Sequence, residues 1–145
     1  MASTVLLAMN IEANQLVQKI SAKAIQLVHK YYACLDNYER REEWLSFFVP
    51  IPVEHPVMIW NGHVLPTVGD IRAYAMTLPR TRHHAASIDA QPLMGTEDFI
   101  VTVQGSVIYG DNHKRRFFHR FTATKAPGSD RTFVSSDYMR WTGEG

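Results

Sequence analysis

Tyr32 and Asp36 stand four residues apart in a run of helical periodicity, so on a helix they share one face. Asp89, His119 and Asp137 follow, each in a stretch that alternates like a strand. Together the five could line a pocket between a helix and a curved sheet. The chemistry would be proton abstraction or dehydration: a carboxylate or imidazole takes the proton and the phenol donates a hydrogen bond. The plainer alternative is structural, with Asp137 bonded to backbone at a bulge and His119 a satisfied core histidine. No motif fixes the five in catalytic spacing, so the structural reading takes precedence and no enzyme is expected.

Other reactive side chains are less organised. The seven histidines include the pair His83-His84, but none has Cys, Asp or Glu partners at metal-ligand spacing. They read as surface-loop histidines, and no metal is expected. Cys34 has no adjacent basic residue and reads as a buried thiol. Gly62, Gly69, Gly95 and Gly105 are too dispersed for a phosphate loop, and no cofactor is expected.

A binding surface is the other chemistry on offer. In the terminal run Thr132 to Trp141, alternation puts Met139 and Trp141 on one face and Ser136, Tyr138 and Arg140 on the other. Two preceding strands repeat the pattern and place Gln104, Phe118 and Arg120 with them, along with Ile100 and Ile108. Such a face is either solvated, the common fate in an antiparallel sheet, or docked on a partner. Its mixture of aromatic, aliphatic and arginine side chains is that of interface cores. Lys114, Arg115 and Arg116 form a basic cluster beside Phe117 and Phe118, joined by Arg120. It could touch RNA phosphates by charge and bases by stacking, or be a solvated hairpin tip.

The elements that must position these residues follow from periodicity. Ala13, Leu16, Val17, Ile20, Ala24, Leu27, Val28, Tyr31 and Leu35 draw one helical stripe, ended by Asp36-Asn37. A short helix over about residues 38–48 would bury Trp44, Leu45 and Phe48. Pro50, Pro52 and Pro56 mark an extended connection. Residues 57–60 read as a strand closed by the hairpin signal Asn61-Gly62. Thr67 looks like an N-cap, with Asp70 three residues on, for a third helix whose inner face is Val68, Ile71, Tyr74, Ala75 and Leu78. Pro79 stops it. Strands are then expected over 84–94, 99–109, 116–125 and 132–141, with turns at Gly110-Asp111-Asn112 and Ala126-Pro127-Gly128-Ser129. Helices first and strands after make this α+β, three helices packed on one face of a bent antiparallel sheet. Trp44, Phe117, Phe121 and Trp141 are expected to fill its interior.

The totals agree with a single domain. The chain has 145 residues, 46% hydrophobic and 20% charged, with a formal net charge of +1. No overall field steers it toward nucleic acid or membrane. The one cysteine excludes an internal disulfide and suits a reducing compartment. Val5 to Met9 lacks a preceding basic residue and makes a poor signal peptide. No run approaches the roughly 20 apolar residues of a membrane-spanning helix. A soluble intracellular protein is expected.

The element order is also similar to that of the nuclear transport factor 2-like fold. Seven loose motifs carry the resemblance in order: Tyr31-Tyr32-x-x-Leu35-Asp36, Trp60-Asn61-Gly62, Leu78-Pro79, Asp89-Ala90-Gln91-Pro92, Val103-Gln104-Gly105-Ser106-Val107, Phe117-x-x-x-Phe121, and Ser136-Asp137-Tyr138-Met139-Arg140-Trp141. Within that family the chain looks like the export branch, the NTF2-related small subunits that pair with a large mRNA export receptor. The resemblance implies a non-enzymatic heterodimer subunit. Its convex sheet face would cover the receptor's homologous domain, with Arg140 in a buried ion pair. It further implies contact with FG-nucleoporins through the complex and shuttling between nucleus, nuclear pore and cytoplasm. A homodimeric import carrier for Ran, or an isomerase or dehydratase on the same fold, are the alternatives. His119 departs from the Gln that relatives often carry there. Residues 1–12 match no counterpart and are read as an arm, with 13–145 as the domain.

Overall fold

A computed structural model describes residues 2–48, 58–93, 96–110, 112–126 and 128–144. The proline-rich connection with Val57, and Met94, Gly95, Asp111 and Pro127, lie outside the described residues. Helix α1 spans Ala2–Asp36, α2 spans Arg41–Leu45 between two short 3₁₀ turns, and α3 spans Val68–Thr77. The strands are β1 (Met58–Trp60), β2 (His63–Leu65), β3 (Thr81–Pro92), β4 (Phe99–Tyr109), β5 (Lys114–Lys125) and β6 (Thr132–Glu144).

One six-stranded sheet runs in the order β2-β1-β6-β5-β4-β3. All neighbours are antiparallel except β1 and β6, which are parallel, so the sheet is mixed rather than wholly antiparallel. Asn61 extends that parallel ladder at its end. It takes a left-handed turn with Gly62 (φ 48° and 83°), which closes the β1–β2 hairpin. Its backbone N–H then donates to the Met139 carbonyl at 2.9 Å, and its side-chain oxygen accepts from the Trp141 N–H at 2.8 Å. The hairpin is thereby stapled along β6.

Curling comes from irregular register at Ala85/Ser87, Arg116/Phe117 and Thr122/Ala123. The sheet wraps a core of Phe99, Val101, Val103, Phe117, Phe121 and Met139 around Tyr31, Leu35 and Trp44 of the helices. Thr67 caps α3 as expected, accepting the Asp70 N–H at 3.1 Å and donating its hydroxyl to the Asp70 carboxylate at 2.7 Å. Buried Arg41 clasps two helix ends. Its guanidinium donates to the carbonyls of Leu35, Ala75, Leu78 and Pro79 at 2.6–3.0 Å.

Two expectations are corrected. The helix does not begin at Ala13; residues 2–12 contain no Gly or Pro to stop it, and α1 runs on through the expected arm. Residues 4–19 are all exposed, so Ala13, Leu16 and Val17 lie outside the core and Ile20 is the first described residue buried. Trp141 is also not a core residue, at 42% exposure. Thr142 is an extra residue opposite β5, because Phe117 faces Trp141 while Arg116 faces Gly143. Trp141 is left at the rim, donating its indole N–H to the Tyr109 hydroxyl at 2.9 Å, with the Arg115 guanidinium over its ring.

Candidate protein-docking interface

Four of the five residues weighed for catalysis, Tyr32, Asp36, His119 and Asp137, lie where α1 meets the inner face of the sheet. Asp137 is buried and bonds side chains, not bulge backbone as expected. It accepts from the Tyr31 hydroxyl at 2.7 Å and from His119 Nε2 at 2.5 Å. His119 Nδ1 lies 2.7 Å from the Tyr32 hydroxyl. The neutral Nε2–H tautomer satisfies all of these contacts, with Tyr32 donating to Nδ1. Burial and the Asp137 carboxylate push both phenols well above their ordinary range, so they remain protonated donors.

A second cluster ties α1 to β3. The Asp36 carboxylate accepts from the Thr81 hydroxyl at 2.8 Å, the His83 backbone N–H at 2.8 Å and His83 Nδ1 at 2.5 Å. His83 is therefore no surface-loop histidine: its side chain is 4% exposed and its ring stacks on Tyr32 at 4.5 Å. Burial pushes its pKa down, and the Asp36 carboxylate opposes only part of that shift. Single-chain periodicity missed this pairing because β3 begins three residues earlier than expected, at Thr81. Asp89 joins neither cluster, being exposed on the outer face.

Both His–carboxylate pairs have the composition of a general-base dyad, but their surroundings suit a scaffold. His119 and Asp137 are 0% and 2% exposed, and Tyr31, Trp60 and Phe121 pack their rings against the imidazole. Every side-chain oxygen and ring nitrogen of the Tyr31–Asp137–His119–Tyr32 chain has a partner inside it, while the indole N–H of neighbouring Trp44 is buried with none among the described residues. An open groove of about 1090 Å³ lies at the cone mouth instead, between Trp60, Tyr74, Tyr109 and Trp141.

The outer face carries the residues expected for docking. Gln104 faces Phe118 and Phe118 faces Arg140; Arg120 faces Tyr138, and Ser136 faces Thr122. Arg140, Arg120, Gln104 and Ser136 are exposed, while Phe118 and Tyr138 are half-buried. Phe118, Arg120, Tyr138, Arg140 and Thr142 line a shallow hollow of about 450 Å³. Phe118 and Tyr138 meet edge to face at 6.4 Å, and the Arg120 guanidinium lies 5.9 Å from the Tyr138 ring centre. The basic cluster is split by alternation. Lys114 and Arg116 point outward, whereas Arg115 turns to the rim over Trp141 and reaches Glu144 at 3.6 Å. Cys34 is buried, and no cluster of potential metal ligands occurs among the described residues.

A family model for the nuclear transport factor 2 (NTF2) domain matches residues 24–141. The chain is 22% identical over 142 residues to mouse NTF2-related export protein 2, covering 93% of this chain and 96% of the mouse protein. The Candida albicans Mtr2–Mex67 M domain complex superposes with a TM-score of 0.68 at 15% identity, over 88% of this chain and 99% of the matched one. A scytalone dehydratase-like protein of Novosphingobium aromaticivorans gives 0.66 at 19% identity, over 98% and 89%. The fold therefore hosts both a two-protein assembly and a dehydratase-like neighbour.

Proposed function

We propose that this chain, which belongs to the NTF2 domain family, is a non-enzymatic small subunit of a heterodimeric mRNA export receptor. Its outer sheet face would cover the NTF2-like domain of a larger partner. The observation that carries this reading is the site around Arg140: an exposed guanidinium with no ion-pair partner among the described residues, set beside half-buried Phe118 and Tyr138. The similarity to a mouse export protein and to the Mtr2–Mex67 complex supports the same reading. Through that partner the subunit would reach FG-nucleoporins and shuttle between nucleus, pore and cytoplasm.

A stable interface here would bury on the order of 1,600 Å². Arg140 would meet a carboxylate of the partner within it. Arg140→Ala or Arg140→Asp is expected to weaken pairing by roughly 2–5 kcal/mol, because the buried partner charge loses its counter-ion. Titration calorimetry of each variant against the receptor's NTF2-like domain checks this, and undiminished affinity in both would remove the ion pair. The variants should fold like the parent.

The competing reading is a dehydratase or isomerase, favoured by the Tyr–His–Asp composition of the interior and by the enzyme-like structural neighbour. The closed hydrogen bonding of that interior argues for a scaffold. Turnover of a hydroxylated aromatic substrate that His119→Asn abolishes in a folded protein would reverse the conclusion.

A further inference from the structure

The outer face of the sheet carries a charge that the whole-chain value hides. Direct cross-strand partners share a face, so the registers sort side chains into rows. Arg82 faces Ile108, which faces Lys114; His84 faces Ser106, which faces Arg116. Phe118 and Arg140 form the next row, Arg120 and Tyr138 the one after. Five cations, Arg82, Lys114, Arg116, Arg120 and Arg140, thus stand exposed on one surface. None of them has an ion-pair partner among the described residues. On the face itself only one described carboxylate answers them, Asp89, opposite Thr102. The chain's net charge is just +1, so its acids are mostly elsewhere.

We propose that the protein surface covering this sheet is acidic beyond the single carboxylate assigned to Arg140, with further carboxylates set opposite Lys114, Arg116 and Arg120. This rests on the pairing reading above and deepens it: charge, more than apolar area, chooses the partner. Covering these guanidinium groups without counter-charges would leave buried, unpaired charge, which is strongly unfavourable. A second copy of this chain cannot supply those counter-charges. A two-fold axis would bring the same five cations against one another, with Asp89 alone on each side. RNA offers negative charge too, but Phe118 and Tyr138 lean edge to face and present no pair of parallel ring faces for bases. An acidic protein sheet fits better.

The test measures binding of the receptor's NTF2-like domain at 50, 150 and 500 mM NaCl. The panel is the parent chain and the exposed double variant Lys114→Glu/Arg116→Glu, each first checked for an unchanged melting temperature. The expected result is affinity falling about tenfold or more across the salt range, mostly through the association rate. The double variant should associate about tenfold more slowly in 50 mM salt and lose most of that salt dependence. Tight binding that is flat with salt in both proteins overturns the acidic partner but leaves the pairing intact. No binding at any salt overturns the pairing itself, and this inference with it. Binding of a 12-nucleotide oligo(U) at 150 mM salt, abolished by the double variant while receptor binding is untouched, would reassign the face to RNA.

Discussion

His83 shows how one buried residue makes the fold sensitive to acid. Its ring is held between Tyr32 and the Asp36 carboxylate, and burial depresses its pKa below the ordinary value of about 6.5. The unfolded chain therefore takes up a proton near pH 6.5 that the native protein refuses. Stability from this group is complete above that pH and is lost as the pH falls toward the native value, at a slope approaching about 1.4 kcal/mol per pH unit. Urea denaturation of the parent between pH 7.5 and 5.5 should show the loss. His83→Asn keeps a donor near Nδ1 and removes the titration, so its stability should be lower but level over that window. An equal slope in the variant would mean that another group is responsible. Arg41 is the contrasting buried cation. It stays charged among four carbonyl oxygens that no neutral side chain could serve together.

At the scale of elements, the bend of β3 against β4 depends on Gly105. A Cβ there would meet the His84 carbonyl oxygen at 2.0 Å and the Ala85 Cα at 3.1 Å, both backbone atoms that cannot swing aside. The close approach coincides with the register shift at Ala85/Ser87, where the strand folds over its neighbour. Gly105→Ala is expected to cost at least about 1–3 kcal/mol, with faster amide exchange concentrated in β3. A loss under about 0.5 kcal/mol would show that the strands relax freely. The glycine was visible in the sequence, but its reason was not. Alternation located the four long strands and sorted Gln104, Phe118, Arg120, Tyr138 and Arg140 onto one face, because the extra residues fall outside the runs Phe117 to Thr122 and Ser136 to Trp141 and do not change the parity of these positions. The rule also put Trp141 on the Met139 side, opposite core Phe117, but a period of two gives the face and not the depth, and Trp141 ends at the rim. Alternation also missed the parallel β1–β6 pairing, a three-residue ladder between elements about eighty residues apart that Asn61 extends at one end. His83 and Asp36 were each legible as polar residues on regular elements, but their pairing was not. Only the register of β3 against α1 brings them together.

For the molecule as a whole, the first half of α1 stands apart from the core. Val5, Leu6, Met9, Leu16 and Val17 are all more than 40% exposed and fall on the same helical stripe as buried Ile20, Ala24, Val28 and Tyr31. The stripe continues past the last strand it can cover, so about 24 Å of helix extends beyond the core. A helix of that length without tertiary contacts is marginal in water, and its apolar stripe adds nothing to the stability of the isolated domain. Deleting residues 1–17 should therefore shift the melting temperature by less than about 2 °C, because every described buried side chain is retained. Circular dichroism should lose only the corresponding helical signal. A fall of more than about 4 °C would mean that the stripe folds back onto the domain in solution and contributes roughly a kcal/mol or more. The deletion leaves the five outer-face cations in place, so the salt dependence of receptor binding should survive it unchanged.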